Sequence, residues 1–533
     1  MHAGVLKNKL YLYMTEFFAG MSLMAVELGA SRLLAPYFSS SQIVWTIIIG
    51  TIMIAMALGN LYGGRSADRD PNPDKLYLRL LVAAVWIAAI PFLGKYVILG
   101  ISGLLVVTVS SGFLIWAGFL ACIVIFVFPL FLLGTTTPSL VKYTVDSLDD
   151  SGRVVGRLNA FNTIGSIIGT FVPTFVSIPA VGTAVTFLIF SGVLLVLALV
   201  YFISTRRKAL RCVIAAVLFA VFSFFATVNG FAFWETGLVY EGESVYNYLQ
   251  VRDEGEDIAL STNVLFGVQS VKHKGGGLTG RYYDYALAAP VLAGAAERDG
   301  ARILILGMGT GTFAVQCAEY FPSARPEGVE IDEKITMLAR EYFDLPESIP
   351  VTTYDGRAFL NVSRERYDVI MVDAYQDITI PFQMSSVEFF EIVRSHLAPG
   401  GVMVVNMNMR TDGPDGINAY LADTISAVFP YVQTADVPYT TNRELFAAET
   451  DVFAAFSEKT ERVTQDDLRA LLEKVQDTLT PYSSGGRLLT DDRAPVEKLG
   501  MSAIDALIMD ELSYYKDILK DRGISGLIEE VSP

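Results

Sequence analysis

Three glycines and one acidic residue stand at spacings that suit nucleotide binding. Gly307, Gly309 and Gly311 lie in the run ILILGMGTG, which begins as an apolar stretch of strand length. Glycines at this point let the backbone turn tightly and let a nucleotide approach the N-terminus of the following helix. Glu330 closes the next predicted strand about 20 residues further on, where a carboxylate can accept both ribose hydroxyls. The spacing predicts an adenosine-containing cofactor.

A second acidic position refines the kind of cofactor. Asp355 and Gly356 end the third predicted strand, where a carboxylate can receive the amino group of adenine. This favours an adenosyl sulfonium over NAD, two classes that the glycine turn alone does not distinguish. An ordinary turn after a strand uses the same residue types, so that interpretation also stays open.

These residues need a sheet to position them, and the pattern after Trp234 supplies one. Apolar runs of strand length alternate with helical periods through ARILILG, PEGVEID, VTTYDG, YDVIMVDA and GVMVVNMNM. Such alternation predicts an α/β Rossmann-like domain with a doubly wound parallel sheet. The later runs YVQTADV and ELFAAETDVF are predicted to be an antiparallel pair at one edge.

The first 233 residues carry apolar runs long enough to cross a bilayer, which takes about 20 residues per helix. Mean hydropathy is +0.44 and hydrophobic residues make up 52% of the chain, which predicts an N-terminal all-α transmembrane bundle. The candidate spans are residues 10–36, 43–63, 77–93, 113–134, 158–178, 184–203 and 212–233. An eighth run, 96–110, is short, and we interpret it as re-entrant or interfacial. The bundle therefore has seven spans, or eight if this run crosses.

Basic residues cluster in alternate connections between the candidate spans. The clusters are Lys7 and Lys9; Arg65, Arg69, Lys75 and Arg79; Lys142, Arg153 and Arg157; and Arg206, Arg207, Lys208 and Arg211. With seven spans all four lie on one face, which the positive-inside rule assigns to the cytoplasm, and the soluble domain lies on the other face. An adenosyl cofactor is a cytosolic metabolite, so we nevertheless expect a cytoplasmic soluble domain, as eight spans would give.

Polar and small residues within the spans predict contacts inside the bundle. Glu16 and Glu27 are eleven residues apart and share a helix face. In one interpretation the two carboxylates line a path for a cationic substrate, and in the other Glu27 forms an ion pair with Arg32. We favour the ion pair. Gly165 and Gly169 stand in small-xxx-small spacing, which predicts a close helix contact rather than a transport site.

Charge and cysteine content exclude several classes of partner. The chain has 15 Lys and Arg against 8 Asp and Glu up to residue 233, and 25 against 48 beyond it, so the two regions carry +7 and −23. The acidic second region argues against nucleic acid, whose phosphates need a basic footprint, and suits a small cationic amine. Cys122, Cys212 and Cys317 do not have the spacing of a zinc site or of a disulfide framework, so we expect no metal.

The motifs of the second region resemble those of a known family. ILILGMGTG, GVEID, YDGRAFL, YDVIMVDAYQD and HLAPGGVMVVN are similar to successive motifs of the spermidine synthases, aminopropyltransferases that use decarboxylated S-adenosylmethionine. The resemblance covers roughly residues 243–410, and IPFQMSSVEFF and LLTDDRAPVE are similar to a membrane-fused branch of the family. It implies a transmembrane domain over 1–233, a small β-rich segment over 234–290 and a Rossmann-like domain over 291–533.

The resemblance also implies roles for individual residues. Asp373 matches the catalytic aspartate, which accepts a proton from the reacting amine or orients it. The residues implied to hold the cofactor are Gly307, Gly309, Thr310, Gly311, Glu330, Asp355, Gly356 and Pro381. Those implied to bind the amine are Asn247, Gln269, Tyr282, Tyr283, Asp284 and Asp377. The resemblance leaves a homodimer open.

Three amine-contacting positions depart from the soluble spermidine synthases. Thr310 stands where those proteins carry an aspartate, Tyr283 where a histidine is usual and Asn247 where a glutamine is usual. A neutral Thr310 weakens the case for the decarboxylated donor and tolerates the carboxylate of intact S-adenosylmethionine. We expect aminopropyl transfer to a polyamine such as putrescine. The alternatives are a methyltransferase acting on a membrane-delivered substrate and a transporter or sensor that binds without turnover.

Overall fold

The computed structural model describes residues 9–38, 41–109, 111–145, 151–228, 230–263, 268–374, 380–408 and 415–531. Contacts divide the chain into two compact units. The helical unit consists of Met1–Glu235 and Gly242–Tyr248, and the sheet unit consists of Thr236–Glu241 and Leu249–Pro533. The three-part division at residues 233 and 290 stays a prediction.

The helical unit is built from long apolar helices. They are α1 (Lys9–Phe38), α2 (Gln42–Arg69), α3 (Pro73–Thr108), α4 (Phe113–Cys122), α5 (Phe128–Gly134), α6 (Thr136–Thr144), α7 (Ser151–Val172), α8 (Ile178–Thr205) and α9 (Ala209–Val228). Short π-helical turns, Ile123–Val127 and Pro173–Ser177, join α4 to α5 and α7 to α8. Helix α2 begins at Ser41, whose hydroxyl accepts a hydrogen bond from the Val44 N–H at 3.3 Å and so satisfies a free donor of the first turn.

Two glycines on α7 allow this helix to pack very closely against α1. A Cβ at Gly165 would lie 2.0 Å from the carbonyl oxygen of Phe17, and one at Gly169 would lie 2.1 Å from that of Met21. Any larger residue would push the two helices apart. The predicted role of these two glycines in close helix packing is confirmed.

The acidic residue near the start of α1 joins three helices. The side chain of Glu16 is fully buried. Its Oε1 accepts hydrogen bonds from the Thr137 hydroxyl of α6 at 2.5 Å and from the Asn162 amide of α7 at 2.8 Å. Near the end of α1, the Arg32 guanidinium donates to the carbonyl oxygens of Ser244 and Val245, which lie in the same unit. Glu16 thus ties α1 to α6 and α7 in the bundle interior, whereas Arg32 ties it to the segment Gly242–Tyr248.

Six helical segments among the described residues are long and apolar enough to cross a membrane. They are Lys9–Phe38, Gln42–Arg69, Pro73–Leu105, Phe113–Thr144, Ser151–Thr205 and Ala209–Val228. The interpretation of residues 96–110 as a separate re-entrant or interfacial segment is wrong, because residues 96–108 continue helix α3. Pro91 lies inside that helix without ending it. Apolar composition alone could not show that the two runs join.

The sheet unit contains two sheets. The four-stranded sheet has β1 (Leu238–Glu243), β2 (Tyr248–Asp253), β3 (Asp257–Ser261) and β4 (Ser270–His273), in that order. The strands of the eight-stranded sheet are β5 (Arg302–Leu306), β6 (Arg325–Glu330), β7 (Val351–Thr353), β8 (Tyr367–Val372), β9 (Leu397–Met407), β10 (Tyr431–Asp436), β11 (Arg443–Ala448) and β12 (Thr480–Pro481). Its strand order is β12-β10-β11-β9-β8-β5-β6-β7.

The described part of the sheet unit also contains ten α-helices. They are α10 (Tyr282–Ala286), α11 (Ala288–Leu292), α12 (Thr312–Tyr320), α13 (Glu333–Tyr342), α14 (Gly356–Val362), α15 (Val387–Ser395), α16 (Ile417–Val428), α17 (Phe456–Glu461), α18 (Asp466–Thr478) and α19 (Val496–Val531). Alternate residues of β5, β8, β9 and β11, among them Ile305, Met371, Val404 and Phe446, join one buried apolar core with α10, α11, α12 and α18. This period-two burial fixes which face of each strand points to those helices.

The larger sheet is mixed rather than wholly parallel. Strands β7, β6, β5, β8 and β9 are parallel, whereas β11, β10 and β12 continue the sheet antiparallel. The predicted antiparallel pair is confirmed as β10 and β11. The two-residue strand β12 lies outside it at the edge, and no sequence pattern predicted so short a strand.

Candidate active site

The order of the parallel strands reverses between β5 and β8, and open α/β sheets bind ligands at the carboxyl ends beside such a reversal. Gly307 follows β5 and Asp373 follows β8. The register pairs Leu306 with Val372, and the Asp373 N–H donates to the Leu306 carbonyl at 2.9 Å. The glycine turn and the predicted catalytic acid are therefore neighbours.

The glycine turn depends on the absence of a side chain at its first position. Gly307 has a φ of 85°, and a Cβ there would lie 2.6 Å from both the Cα of Ala374 and the carbonyl oxygen of Asp373. Only glycine fits between these backbones. Two residues later the Gly309 N–H donates to Glu330 Oε2 at 2.9 Å. The turn is thus clamped between β8 and the end of β6.

Glu330 is buried at the position predicted for the ribose partner. Its Oε1 accepts from the Asp332 N–H at 3.0 Å, while Oε2 accepts from Gly309. Burial raises the pKa of Glu330 to about 7, although the backbone N–H groups act in the opposite direction. Each carboxylate oxygen can accept more than one hydrogen bond, so Glu330 can hold the turn and still receive the ribose hydroxyls.

The other predicted nucleoside residues lie close by. Asp355 caps helix α14, with Oδ1 accepting from the Ala358 N–H at 2.8 Å, which is the ordinary turn role that the sequence left open. A Cβ at Gly356 would lie 3.2 Å from the Met384 methyl group and 3.6 Å from the Leu306 Cβ. Pro381 precedes the 3-10 turn that contains Met384. The structure brings Gly356 and the segment after Pro381 together beside the end of β5.

Two side chains hold the carboxylate of Asp373. The Tyr282 hydroxyl donates to Oδ2 at 2.6 Å, and the Asn406 amide donates to Oδ1 at 2.9 Å. Burial raises the pKa of Asp373 to about 7, and these two hydrogen bonds partly offset that effect. A carboxylate with a pKa near 7 is a stronger proton acceptor than an exposed aspartate. It is therefore suited to general-base chemistry at neutral pH.

The two predicted substrate tyrosines pack together. The ring centroids of Tyr282 and Tyr283 are 4.0 Å apart. The Tyr283 hydroxyl donates to the backbone carbonyl of Gln269 at 3.2 Å and lies 3.3 Å from the Val271 N–H, which donates to it. Burial raises the pKa of Tyr283 to about 12, so its hydroxyl stays protonated. Tyr282 therefore contacts the acid directly, whereas Tyr283 fixes the small sheet behind it.

Comparison of the sequence with known proteins identifies the family of this chain. The family model for the spermine/spermidine synthase domain matches residues 289–449. A probable polyamine aminopropyl transferase of Bifidobacterium longum is 56% identical over 351 residues, which cover 62% of this chain and 78% of that protein. The chain belongs to the polyamine aminopropyltransferase family.

More distant family members match shorter regions. The polyamine aminopropyltransferase of Chromobacterium violaceum is 33% identical over 111 residues, or 20% of this chain and 42% of that protein. Among solved structures, a probable spermidine synthase from Corynebacterium glutamicum is similar with a TM-score of 0.37 and 23% identity, covering 50% of this chain and 95% of that one.

In this aminopropyltransferase, the predicted amine-binding residue Asp284 forms hydrogen bonds within the protein. Asp284 is 2% exposed. Its carboxylate accepts from the Thr279 N–H at 3.0 Å, the Gly280 N–H at 2.7 Å and the Gln316 amide at 2.7 Å. These bonds shape the loop before α10, a role that the sequence did not indicate. Of the acidic and aromatic residues predicted there, Tyr282 is the one that reaches Asp373.

One of the three positions expected to differ from the soluble spermidine synthases lies in the interior. Thr310 is fully buried. Its hydroxyl is 3.1 Å from that of Thr312, which in turn donates to the Val271 carbonyl at 3.0 Å. The threonine hydroxyl is therefore part of an internal hydrogen-bond chain.

Two predicted amine-binding residues are not brought to Asp373 by the described sheet unit. Asn247 belongs to the helical unit, where its N–H donates to the Ser244 hydroxyl at 2.8 Å. Asp377 lies outside the described residues. The roles of both stay predictions.

Sequence reasoning missed the residues that complete the acid's surroundings. Asn406 holds Asp373, and the Asn442 amide donates to Asn406 Oδ1 at 2.8 Å. Opposite Asn406 in the register is Glu444, which is fully buried. A polar residue inside the apolar runs GVMVVNM and ELFAA was the available signal. It marks these positions as unusual but does not show that they meet.

Proposed function

We propose that the sheet unit transfers the aminopropyl group of decarboxylated S-adenosylmethionine to a polyamine such as putrescine and releases methylthioadenosine. The observation that carries this proposal is the carboxylate of Asp373, held by Tyr282 and Asn406 beside the glycine turn. The family is shown by the relatives, whereas the amine acceptor and the individual roles are proposals. The acidic sheet unit suits a cationic acceptor.

The reaction is a displacement at the carbon next to a sulfonium. The amine lone pair forms the new N–C bond, the C–S bond breaks, and its electron pair stays on sulfur, which becomes the neutral thioether of methylthioadenosine. The new ammonium group loses a proton. Asp373 can orient the amine and accept that proton because burial raises its pKa to about 7.

The residues beside the turn fit the adenosine part of the donor. Buried Glu330 closes β6 and accepts from the Gly309 N–H of the turn, and glycine at 307 lets the turn lie directly against the backbone of Asp373 and Ala374. In the proposal Glu330 accepts from the ribose hydroxyls, while Asp355 and Pro381 lie on the adenine side. Thr310 lacks the charge that would attract the aminopropyl ammonium, so both the decarboxylated and the intact donor must be tested.

Product analysis with the purified full chain distinguishes the candidate reactions. The protein is incubated with each donor and a panel of diamines, and the nucleoside product is identified by mass. Methylthioadenosine formed with the decarboxylated donor supports the proposal. S-adenosylhomocysteine formed from the intact donor would instead establish a methyltransferase. Ligand binding with neither product would favour a transporter or sensor.

We propose further that the helical unit crosses the bilayer seven times. The apolar segment Ser151–Thr205 is 55 residues long, roughly 80 Å at the rise of an α-helix, and the hydrocarbon core is about 30 Å thick. The backbone breaks at Gly182, with φ 79° and ψ 170°. Two crossings, α7 and α8, account for this length and this break.

With seven crossings, the loop charges and the supply of the adenosyl donor predict opposite locations for the sheet unit. All four basic clusters then lie on the face of the N-terminus, which favours a cytoplasmic N-terminus and a sheet unit on the opposite face. Supply of an adenosyl donor favours a cytoplasmic sheet unit, and the proposal of a cytoplasmic sheet unit rests on that supply alone. Reporter proteins fused after Pro533 test this location. If only a reporter that works in the extracytoplasmic compartment is active, the cytoplasmic location is overturned.

The homodimer that the resemblance leaves open also stays a proposal. The mass of the purified protein in detergent, measured by light scattering with the detergent contribution subtracted, checks it.

A further inference from the structure

Glu444 is a second buried acid beside the proposed site, and its carboxylate has no hydrogen-bond partner within the part of the chain that the structure describes. It lies in β11 and is fully buried. Neither Oε1 nor Oε2 has a hydrogen-bond partner among the described residues. Buried carboxylates are otherwise paired or hydrogen-bonded, because an isolated charge is costly away from water. This side chain therefore requires either a bound proton or a cation that the described residues do not supply.

The strand register places Glu444 in line with the reacting groups. Val372 pairs with Val405, which sets Asp373 beside Asn406, and Asn406 pairs with Glu444. Glu444 is thus two strands from Asp373, about 10 Å at the usual strand spacing. The three side chains form a row across the carboxyl ends of β8 and β9 and the adjoining start of β11.

The row faces the helix that carries the tyrosine of the site. Phe446 and Val404, which share strand faces with Glu444 and Asn406, belong to the same buried core as Tyr283. Helix α10, which holds Tyr282 and Tyr283, packs on β9 and β11. Glu444 therefore points to the side of the sheet from which Tyr282 reaches Asp373.

The two sides of Asp373 have different chemistry. The glycine turn and Glu330 lie over β5 and β6, where the nucleoside is proposed to bind. Asn406 and Glu444 lie on the other side, over β9 and β11. A displacement needs the amine opposite the departing sulfur, so the acceptor extends from Asp373 toward the second side. An amine with two ammonium groups presents one to each carboxylate.

Protonation explains how the carboxyl group of Glu444 can be buried without a hydrogen-bond partner among the described residues. Burial, and then the negative charge of Asp373, raise the pKa of Glu444 well above its usual range. The carboxyl group can therefore be held neutral by a proton in the absence of a cation. An entering ammonium group favours the ionised form and forms a charge-assisted hydrogen bond with it.

We propose that Glu444 binds the non-reacting ammonium group of the acceptor and so selects diamines and longer polyamines over monoamines. This assignment rests on the proposed aminopropyl transfer, in which Asp373 acts on the reacting amine. Asn406 then has a positioning role, since its amide is held by Asn442 and itself holds Asp373. The site thus contains one acid for each end of the acceptor.

Steady-state kinetics of Glu444→Gln test the assignment. Butane-1,4-diamine and butan-1-amine serve as probes, with methylthioadenosine as the measured product. We expect KM for the diamine to rise about 10- to 100-fold, the size of a lost charge-assisted bond. We expect kcat at saturating diamine to stay within about threefold, because the group that receives the proton is unchanged. The preference for the diamine over the monoamine should fall by about the same factor as KM rises.

A matched control and a conservative variant keep the test decisive. Glu449→Gln makes the same change at the exposed residue that follows β11 and should leave every constant unchanged. Glu444→Asp keeps the charge one methylene further away and should retain part of the diamine preference that Glu444→Gln loses. A purely structural Glu444 would give Gln and Asp variants that change folding without changing the ratio between the two amines.

The outcomes separate this inference from the proposed function. Wild-type protein that forms no methylthioadenosine with any diamine would reject the aminopropyl transfer itself. Active wild-type protein, together with a Glu444→Gln variant that keeps the wild-type KM and diamine preference, would overturn the assignment alone. If Glu444→Gln fails to fold, the ratio measured for Glu444→Asp decides, because an unchanged KM and preference there also contradict the proposal.

Discussion

The two sides of the sheet's carboxyl edge are built in different ways. On the nucleoside side, over β5 and β6, the geometry is made by backbone: Gly307 fits against Ala374 and the Gly309 N–H meets Glu330. On the amine side, over β8, β9 and β11, it is made by side chains from distant parts of the chain, Asp373, Asn406 and Glu444. In the proposed reaction the first side holds the donor, and the second side acts on the amine that reacts with it.

The largest effect should come from the amine side, at Asp373. Asp373→Asn keeps the shape but removes the proton acceptor, so kcat should fall about 10²- to 10⁴-fold with little change in donor KM. Methylthioadenosine formation measures it. Asp477→Asn, the same change at an exposed residue of α18, should keep wild-type kcat. A kcat reduced less than tenfold by Asp373→Asn would remove this residue from the reaction.

The corresponding change on the nucleoside side should act on folding. Gly307→Ala forces a Cβ to within 2.6 Å of two backbone atoms at a φ of 85°, so we expect unfolding free energy to fall by about 2–4 kcal/mol. Gly400→Ala is the control, because its φ is 77° but nothing lies within 4 Å of its added Cβ. The unfolding free energies of both variants in urea separate the cost of the close backbone contact from the cost of the positive φ. Equal losses would show that the backbone contact contributes nothing beyond φ.

A smaller change tests how the acid on the amine side is tuned. The Tyr282 hydroxyl stabilises the ionised form of Asp373, so Tyr282→Phe should raise the pKa of that carboxyl further. Because the protonated acid cannot accept a proton, wild-type kcat should fall as pH drops below about 7. In Tyr282→Phe this acid limb should begin about 0.5 to 1 higher in pH, the size of one hydrogen bond.

A neighbouring tyrosine provides the comparison for that profile. Tyr285→Phe removes a hydroxyl from the same helix α10 and should leave the acid limb of the kcat profile at its wild-type position. A limb that moves equally in both variants would assign the effect to packing of α10. A limb that stays in place in Tyr282→Phe would show that the hydrogen bond does not set the pKa of Asp373.

The difference between the two sides also explains what could be predicted from the sequence. The glycine turn, Glu330 and the alternation of strands with helices follow from local patterns, because glycine spacing and apolar periodicity indicate them. Asn406 and Glu444 are 38 residues apart and meet only through the antiparallel pairing of β9 with β11. No local pattern specifies that register. The partners of Asp284 and Thr310 include residues close in sequence, such as Gly280 and Thr312, but these hydrogen bonds depend on loop conformations that residue types alone do not specify.

The smallest effect should come from Thr310, the residue that made the donor uncertain. Its hydroxyl lies against Thr312 in the interior rather than standing alone, so Thr310→Val should change donor KM less than about threefold and lower stability by about 1 kcal/mol. The ratio of kcat/KM for decarboxylated and intact S-adenosylmethionine measures donor choice. Thr312→Val, which breaks the same chain from its other end, should behave alike. A shift in donor ratio of more than about tenfold in Thr310→Val alone would mean that this hydroxyl contacts the donor. Donor choice would then depend on a side chain of the glycine turn, and the nucleoside side would not be made by backbone alone.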